Sequence, residues 1–352
     1  MGSLVRFSSP GTAEVVEVED PAPSPGSVVL ETLYSGVSAG TELTAYRGTN
    51  PYLELEWDAA RRLFVPGDAT HAYPLDAWGY EEVGRVAAVG SEEDLDLVGR
   101  LAWGAWGHRS TALRPAAYVR PRLLEESQDP LSGVFAKIGA IALNAVLDAD
   151  IHVGETVAVF GAGVPGQIVA QLARLNGARV IVVDRMPTRL ELAERLGADL
   201  TLDASSGEVA EAIRRVTGNR GADVVIEMSG AYAALHEAVR AVGYSSRVVA
   251  SGFFQGPAAP LRLGEEFHHN RVSIVCSQIS GVAPHLQHRW DELRMSTTVL
   301  ELQRRGRLEL SELVTHLVPA DDAGSAFEML DVAPQEALQV VLDYRTDSER
   351  AA

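Results

Sequence analysis

A glycine turn at mid-chain constrains the fold more than any other feature. Gly161-Ala-Gly163-Val-Pro-Gly166 follows directly on the apolar run TVAVF (156–160) and opens a segment of helical periodicity at 164–176. In a strand–turn–helix context, G-x-G-x-x-G is the signature of a dinucleotide-binding turn. Gly161 permits the tight turn, Gly163 lets the backbone approach a pyrophosphate, and Gly166 lets helix and strand pack closely. Val164 and Pro165 start the helix, whose N-terminus offers N–H donors and a favourable dipole. Asp184 closes the next apolar run, RVIVVD, at about the spacing where an acidic residue accepts hydrogen bonds from the adenosine ribose. A carboxylate there repels a 2′-phosphate, so NAD is expected rather than NADP, although Arg185 beside it pulls the other way.

The pattern around the turn supports a parallel sheet. Apolar runs at 156–160, 179–184, near 200, at 222–227, 247–251 and 272–277 alternate with helical stretches at 164–176, 187–196, 208–216 and 232–242. Continuous apolar strands separated by helices indicate a sheet covered on both faces. Up to residue 146 the chain is β-like and irregular, with runs at 28–34, 82–89, 100–103 and 117–119, then an apolar helical stretch at 136–147. The tail returns to mixed content, with helices at 297–304 and 320–330 and a strand at 337–344. The expected class is α/β: a β-rich domain from 1–146 and 280–352, and a doubly wound Rossmann domain at 147–279.

Composition narrows the function classes. The chain has 352 residues, 48 acidic against 30 basic, and a net charge of −18. Without a basic run this charge repels nucleic acid and anionic lipid, so a small-molecule substrate is expected. The single cysteine, Cys276, excludes an internal disulfide and any zinc site built from several thiolates. No signal-peptide stretch is visible in MGSLVRFSS and no run reaches membrane-spanning length, which gives the expectation of a cytoplasmic protein.

Three further strand ends are candidates for the cofactor. Ser229 follows the run 222–227, Gly252, Phe253 and Phe254 follow 247–251, and Ser277 and Gln278 follow 272–277. Ligands bind at the carboxyl ends of parallel strands. Each of these segments reads equally well as an ordinary strand-to-helix turn, and Ser277 and Gln278 are additionally within reach of a nicotinamide carboxamide.

GETVAVFGAGVPGQ, SGVSAGTELTAYRG, FHHNRVSIVCSQISG and EALQVVLDY resemble the medium-chain dehydrogenase/reductase superfamily over essentially the whole chain, and within it the branch of bacteriochlorophyllide, sorbitol and threonine dehydrogenase-like proteins. The resemblance implies a GroES-like catalytic domain beside the Rossmann domain, and a homodimer or homotetramer. It does not extend to zinc. The relatives' cysteine ligand falls at Ser38 or Ala39 in Gly36-Val-Ser38-Ala39-Gly40-Thr41-Glu42, their Gly-His-Glu is Gly79-Tyr80-Glu81, and their remaining ligand aligns with Lys137. An ammonium repels the metal, and the four-cysteine structural loop is missing, so a zinc-independent member with no metal site is expected.

The chemistry that remains is hydride transfer by the cofactor, with the protein managing one proton and one oxygen. Tyr80 and Lys137 sit where zinc-bearing relatives converge on the substrate oxygen. A phenol made more acidic by a nearby ammonium serves as acid/base, with Lys137 offsetting alkoxide charge. Equally, Tyr80 packs in a turn and Lys137 pairs with Glu81 or reaches solvent. Ser38, Thr41, Glu81 and Glu42 line the same segment, with turn capping as their alternative role. His268-His269 reads as a polar loop, and Trp57, Trp78, Trp103 and Trp106 as core packing or a planar-substrate wall. The expected activity is interconversion of a secondary alcohol and a ketone; reduction of an activated C=C or C=N bond, or non-catalytic cofactor sensing, are the alternatives.

Overall fold

The computed structural model describes residues 1–76 and 78–350. The chain divides into two compact units, Met1–Lys137 with Ser311–Ala352, and Ile138–Leu310. In chain order the first unit contains β1 (Gly2–Ser9), β2 (Thr12–Val18), β3 (Ser27–Val37), α1 (Glu42–Arg47), β4 (Glu56–Asp58), β5 (Leu63–Val65), β6 (Leu75–Asp76), β7 (Glu82–Val89), β8 (Leu101–Gly104), β9 (Thr111–Pro115) and α2 (Ala116–Val119). Helix α3 (Phe135–Ala149) carries the chain into the second unit. There β10 (Thr156–Phe160), α4 (Val164–Leu175), β11 (Arg179–Asp184), α5 (Pro187–Arg195), β12 (Leu200–Asp203), α6 (Val209–Val216), β13 (Ala222–Glu227), α7 (Tyr232–Ala241), β14 (Val242–Ala250), β15 (Ser273–Cys276) and α8 (Glu292–Arg304) follow. The return to the first unit adds β16 (Val314–Pro319), α9 (Ala323–Val332) and β17 (Gln339–Asp343).

The second unit is a six-stranded parallel sheet in the order β12-β11-β10-β13-β14-β15. All five residues of β10 are buried, as are four successive residues of β11. These continuous apolar runs follow from helices on both faces, and Ala158, Ile181, Val225 and Val248 form one core with Ile213 of α6 and Leu235 of α7. The order reverses between β10 and β13, where a doubly wound sheet opens its ligand crevice.

In the first unit β16-β17-β3-β7-β8 form the main sheet, with β9 also paired to β3. The site segments hang on this sheet: β3 leads into residues 38–41 and α1, while Tyr80 and Glu81 immediately precede β7. Gly36 donates its N–H to the Glu81 carbonyl at 2.9 Å, locking the two segments side by side. Phe7, Tyr46, Phe327 and Leu342 belong to the core beneath them.

Several expectations change. The stretch at 117–119 is helical rather than extended, because it closes the short turn α2 after Pro115. The hairpin β1–β2 carries no strong local pattern and was not expected. Residues 280–310 belong with the dinucleotide-type unit rather than the first, and the boundary falls within α3. Met295 and Val299 of α8 are buried, and Gln171 of α4 exchanges two hydrogen bonds with the Glu309 backbone, at 2.9 and 2.8 Å. The helical run Pro130–Ala149 has the length and composition of a membrane span, contrary to the expectation that none exists, yet 72% of that window is buried in the protein.

Candidate active site

At the sheet reversal, the glycine turn has the geometry a dinucleotide needs. Gly161 has φ +95°, and a Cβ there would meet the Ser229 backbone N at 2.8 Å. A Cβ on Gly166 would lie 1.8 Å from the Gly161 carbonyl oxygen, so α4 starts in contact with the turn. Gly163 caps α4, followed by Val164 and Pro165, and faces open space. The turn borders a cavity of 330 Å³ lined by Gly161, Asp184, Arg185, Arg189, Ser229 and Glu237, among others. A cavity of this size, beside a helix N-terminus and an acidic strand end, fits the adenosine part of a nicotinamide dinucleotide.

Asp184 does more than face the ribose position. One carboxylate oxygen accepts the Ala162 N–H at 2.6 Å, and the other accepts the N–H groups of Arg185 at 2.7 Å and Met186 at 2.9 Å. It therefore ties the end of β11 to the glycine turn and keeps one lone pair, on the oxygen that faces Ala162, for a ligand. Glu227, which opens the strand-end cluster Glu227-Met-Ser229-Gly230, does the same at the end of β13. Its oxygens accept the N–H of Ser229 at 2.9 Å and of Gly230 at 3.1 Å, and the Ser229 hydroxyl as well. Burial pushes this carboxyl up to about 7, against the pull of those donors.

The remaining cofactor candidates divide. Gly252 packs on Gly230, where a Cβ would meet the Gly230 N at 2.2 Å; Phe253 is exposed, and Phe254 packs on Tyr232 at 5.2 Å. Ser277 and Gln278 are occupied otherwise. Ser277 is buried and accepts from the Asn144 amide at 3.3 Å, with Asp148 as a second partner. Gln278 accepts the Ser280 N–H at 2.8 Å and borders a separate 440 Å³ hollow with Asp148, Arg247 and Cys276. That hollow shares no lining residue with the adenosine cavity.

In the first unit the structure brings Ser38, Thr41 and Tyr80 together. The Ser38 hydroxyl is hydrogen-bonded to the Tyr80 phenol, and Thr41 adds a second side-chain bond. The expected acidification of the phenol is reversed: burial, then the charges of Glu81 and Glu42, push Tyr80 up, with the two hydroxyls pulling the other way. Glu81 is enclosed, and one of its oxygens accepts from Gln339 at 3.3 Å while the other has no partner. Burial and the neighbouring Glu42 and Glu82 raise it well above the ordinary carboxylate range. Lys137 lies half-buried on α3.

This donor set does not fit zinc. Two hydroxyl-type oxygens, a carboxyl raised by burial and an ammonium replace thiolate, imidazole and carboxylate. Among the described residues no group of three or more His, Cys, Asp or Glu side chains could hold a metal ion.

Sequence reasoning passed over His108, which is 0% exposed. Its Nε2 pairs with Glu42 Oε2 at 2.6 Å and its Nδ1 with the Ser35 hydroxyl at 2.6 Å. Ser35 donates to Glu82 at 3.1 Å, and Glu82 also accepts the Trp106 N–H at 2.6 Å. Burial pushes Glu82 up to about 7. No spacing signal marks His108, because its partners lie 66 and 73 residues away. Of the tryptophans, Trp103 and Trp106 are core, whereas Trp57 and Trp78 are half-buried; His268 and His269 are exposed, but helical rather than in the expected polar loop.

Comparison with known proteins agrees with this architecture. Residues 165–296 match the model of the zinc-binding dehydrogenase family. D-Guloside 3-dehydrogenase of Escherichia coli is 29% identical, covering 95% of this chain and 97% of its own. An L-threonine 3-dehydrogenase of Sinorhizobium medicae is 31% identical over 58% of this chain and 56% of its own. A solved Sinorhizobium meliloti structure, described as a zinc-binding dehydrogenase bound to NADP, superposes with a TM-score of 0.77 at 24% identity, over 97% of this chain and 99% of its own. Fold and matches together define an oxidoreductase of the dehydrogenase type. Residues 165–296 carry the pattern of the zinc-binding dehydrogenase family, and the whole chain is similar in fold to the medium-chain dehydrogenase/reductase superfamily.

Proposed function

We propose that this protein is an NAD-dependent, zinc-independent dehydrogenase that interconverts a secondary alcohol and a ketone, with Tyr80 exchanging the proton at the substrate oxygen. The observation that carries the reading is the Tyr80–Ser38–Thr41 cluster at the positions where zinc-bearing relatives hold their metal. The relatives' named activities, on a guloside and on threonine, support a hydroxyl-bearing small molecule as substrate.

A bound nicotinamide supplies or accepts the hydride at the carbinol carbon. The protein's part is the proton. With Ser38 and Thr41 donating to the phenol oxygen, the Tyr80 proton is left to point at a substrate carbonyl, and its raised pKa keeps that proton in place until the oxygen gains charge. In ketone reduction the phenol proton passes to the oxygen, and the two hydroxyls stabilise the phenolate left behind. Lys137 offsets charge at the same oxygen in this reading. The Asp184 carboxylate favours NAD and Arg185 opposes it. The reading extends to a cytoplasmic homodimer or homotetramer acting on a small molecule, neither a nucleic acid nor a membrane.

Single-turnover hydride transfer, followed at 340 nm with NADH and a panel of ketones against conjugated enones, tests the proposal. Ketone turnover in protein carrying well under one zinc per chain supports it. Turnover of enones alone, or loss of activity on zinc removal with recovery on its return, overturns it.

A further inference from the structure

We propose that the buried Glu42–His108 pair is the positioning device of Tyr80, holding the phenol in register from two directions; the inference rests on Tyr80 as the proton-exchanging group. The first link runs through Ser38. Glu42 uses one oxygen to accept the Ser38 N–H at 3.0 Å and the other to bind His108 at 2.6 Å. Ser38 in turn holds the Tyr80 hydroxyl. The second link is direct. His108 donates its backbone N–H to the Trp78 carbonyl at 2.8 Å. Its ring also rests against Gly79, where φ is +117° and a Cβ would meet His108 Cε1 at 2.9 Å. The residues immediately before Tyr80 are therefore seated on the same histidine that fixes its hydrogen-bond partner.

The hydrogen bonds fix the ring on both edges: Nε2 faces the Glu42 carboxylate, and the Ser35 hydroxyl links Nδ1 to Glu82. A positive charge on the ring is favoured by both carboxyl neighbours. Burial opposes that charge, and Glu42, by charge and hydrogen bond, and Glu82 outweigh it. The groups facing the ring are Glu42 from α1, Ser35 from β3, Glu82 from β7 and the Phe327 ring from α9 at 5.8 Å.

The test uses full-length protein labelled with 3-fluorotyrosine, the Tyr80 fluorine resonance being assigned by its loss in Tyr80→Phe. Glu42→Gln and His108→Gln are compared with the parent by fluorine NMR and by the pH profile of single-turnover ketone reduction. The proposal expects the Tyr80 resonance to move in both variants, the rate to fall about tenfold to a hundredfold as a phenol slips from its place, the rate-controlling ionisation to shift, and KM for the ketone to stay within about twofold. Because His108 is fully enclosed, Glu42→Gln, which keeps an acceptor for Ser38, decides alone if His108→Gln does not fold. A folded Glu42→Gln with unmoved resonance and pH profile overturns the proposal. If Tyr80→Phe retains full hydride transfer while the resonance moves in the variants, the catalytic reading of Tyr80 fails and the positioning stands.

Discussion

The Asp184 carboxylate at the end of β11 accepts the backbone N–H of Ala162, the second residue of the glycine turn, at 2.6 Å. One side chain thus braces the turn and presents charge to the adenosine cavity. Asp184→Ala loses both functions. NAD affinity, measured by calorimetric titration, is expected to fall about tenfold or more, the scale of one charge-assisted hydrogen bond. The ratio of NADP to NAD affinity is expected to rise, with Arg185 left at the cavity.

Gly166 leaves no room for a side chain, since a Cβ would sit 1.8 Å from the Gly161 carbonyl oxygen. Gly166→Ala is expected to cost about 1–3 kcal/mol, as overpacking does, and to displace the turn. Thermal unfolding and NAD titration should both register it. Unchanged values would mean the turn relaxes without consequence for the ligand.

Tyr80→Phe removes one oxygen and nothing else. Single-turnover hydride transfer to a ketone is expected to slow by about 10²–10⁴, the usual contribution of a positioned acid, while NADH affinity stays at the parent value. Lys137→Met is expected to slow the same step less, because the phenol retains its proton without it.

Stability should fall as pH rises through neutrality. Glu227 and Glu82 are both pushed by burial from an ordinary 4.5 up to about 7. The folded chain therefore binds more protons than the unfolded chain between those values, and unfolding free energy drops across that window. His108, also raised, acts in the same direction. For each carboxyl the linkage amounts to at most about 3 kcal/mol. Tm measured from pH 5 to pH 8 should decline, and Glu227→Gln should flatten the decline. A Tm that rises over this range contradicts the assignment.

How much of this was legible in the sequence depended on whether the information was local. RVIVVD and ADVVIE give strands with the expected limits because each carries an unbroken central apolar run, as a doubly covered parallel sheet requires. The glycine turn and Asp184 were readable because turn, helix start and acid sit at fixed offsets. Ser38, Thr41 and Tyr80 could be nominated only through the family pattern, and the sign of the Tyr80 shift came out opposite, because the phenol is buried and the charges around it are carboxyls. His108 was invisible, since its role exists only once β3, α1 and β7 are side by side. The partners of Ser277, Asn144 and Asp148 of α3, were likewise out of local reach in the sequence.

The Gln339 side chain of β17 donates to the Val37 carbonyl and to Glu81, contacts spanning 302 and 258 residues. On the ribosome, the whole stretch Ile138–Leu310 emerges before the strand that completes the first unit. The dinucleotide-type sheet can therefore mature as a finished body while the Tyr80 and Glu81 segment still lacks its last wall. Such long-range closure is slow, so a stalled or clipped chain would leave a nucleotide-binding particle without the proton-handling half of the enzyme.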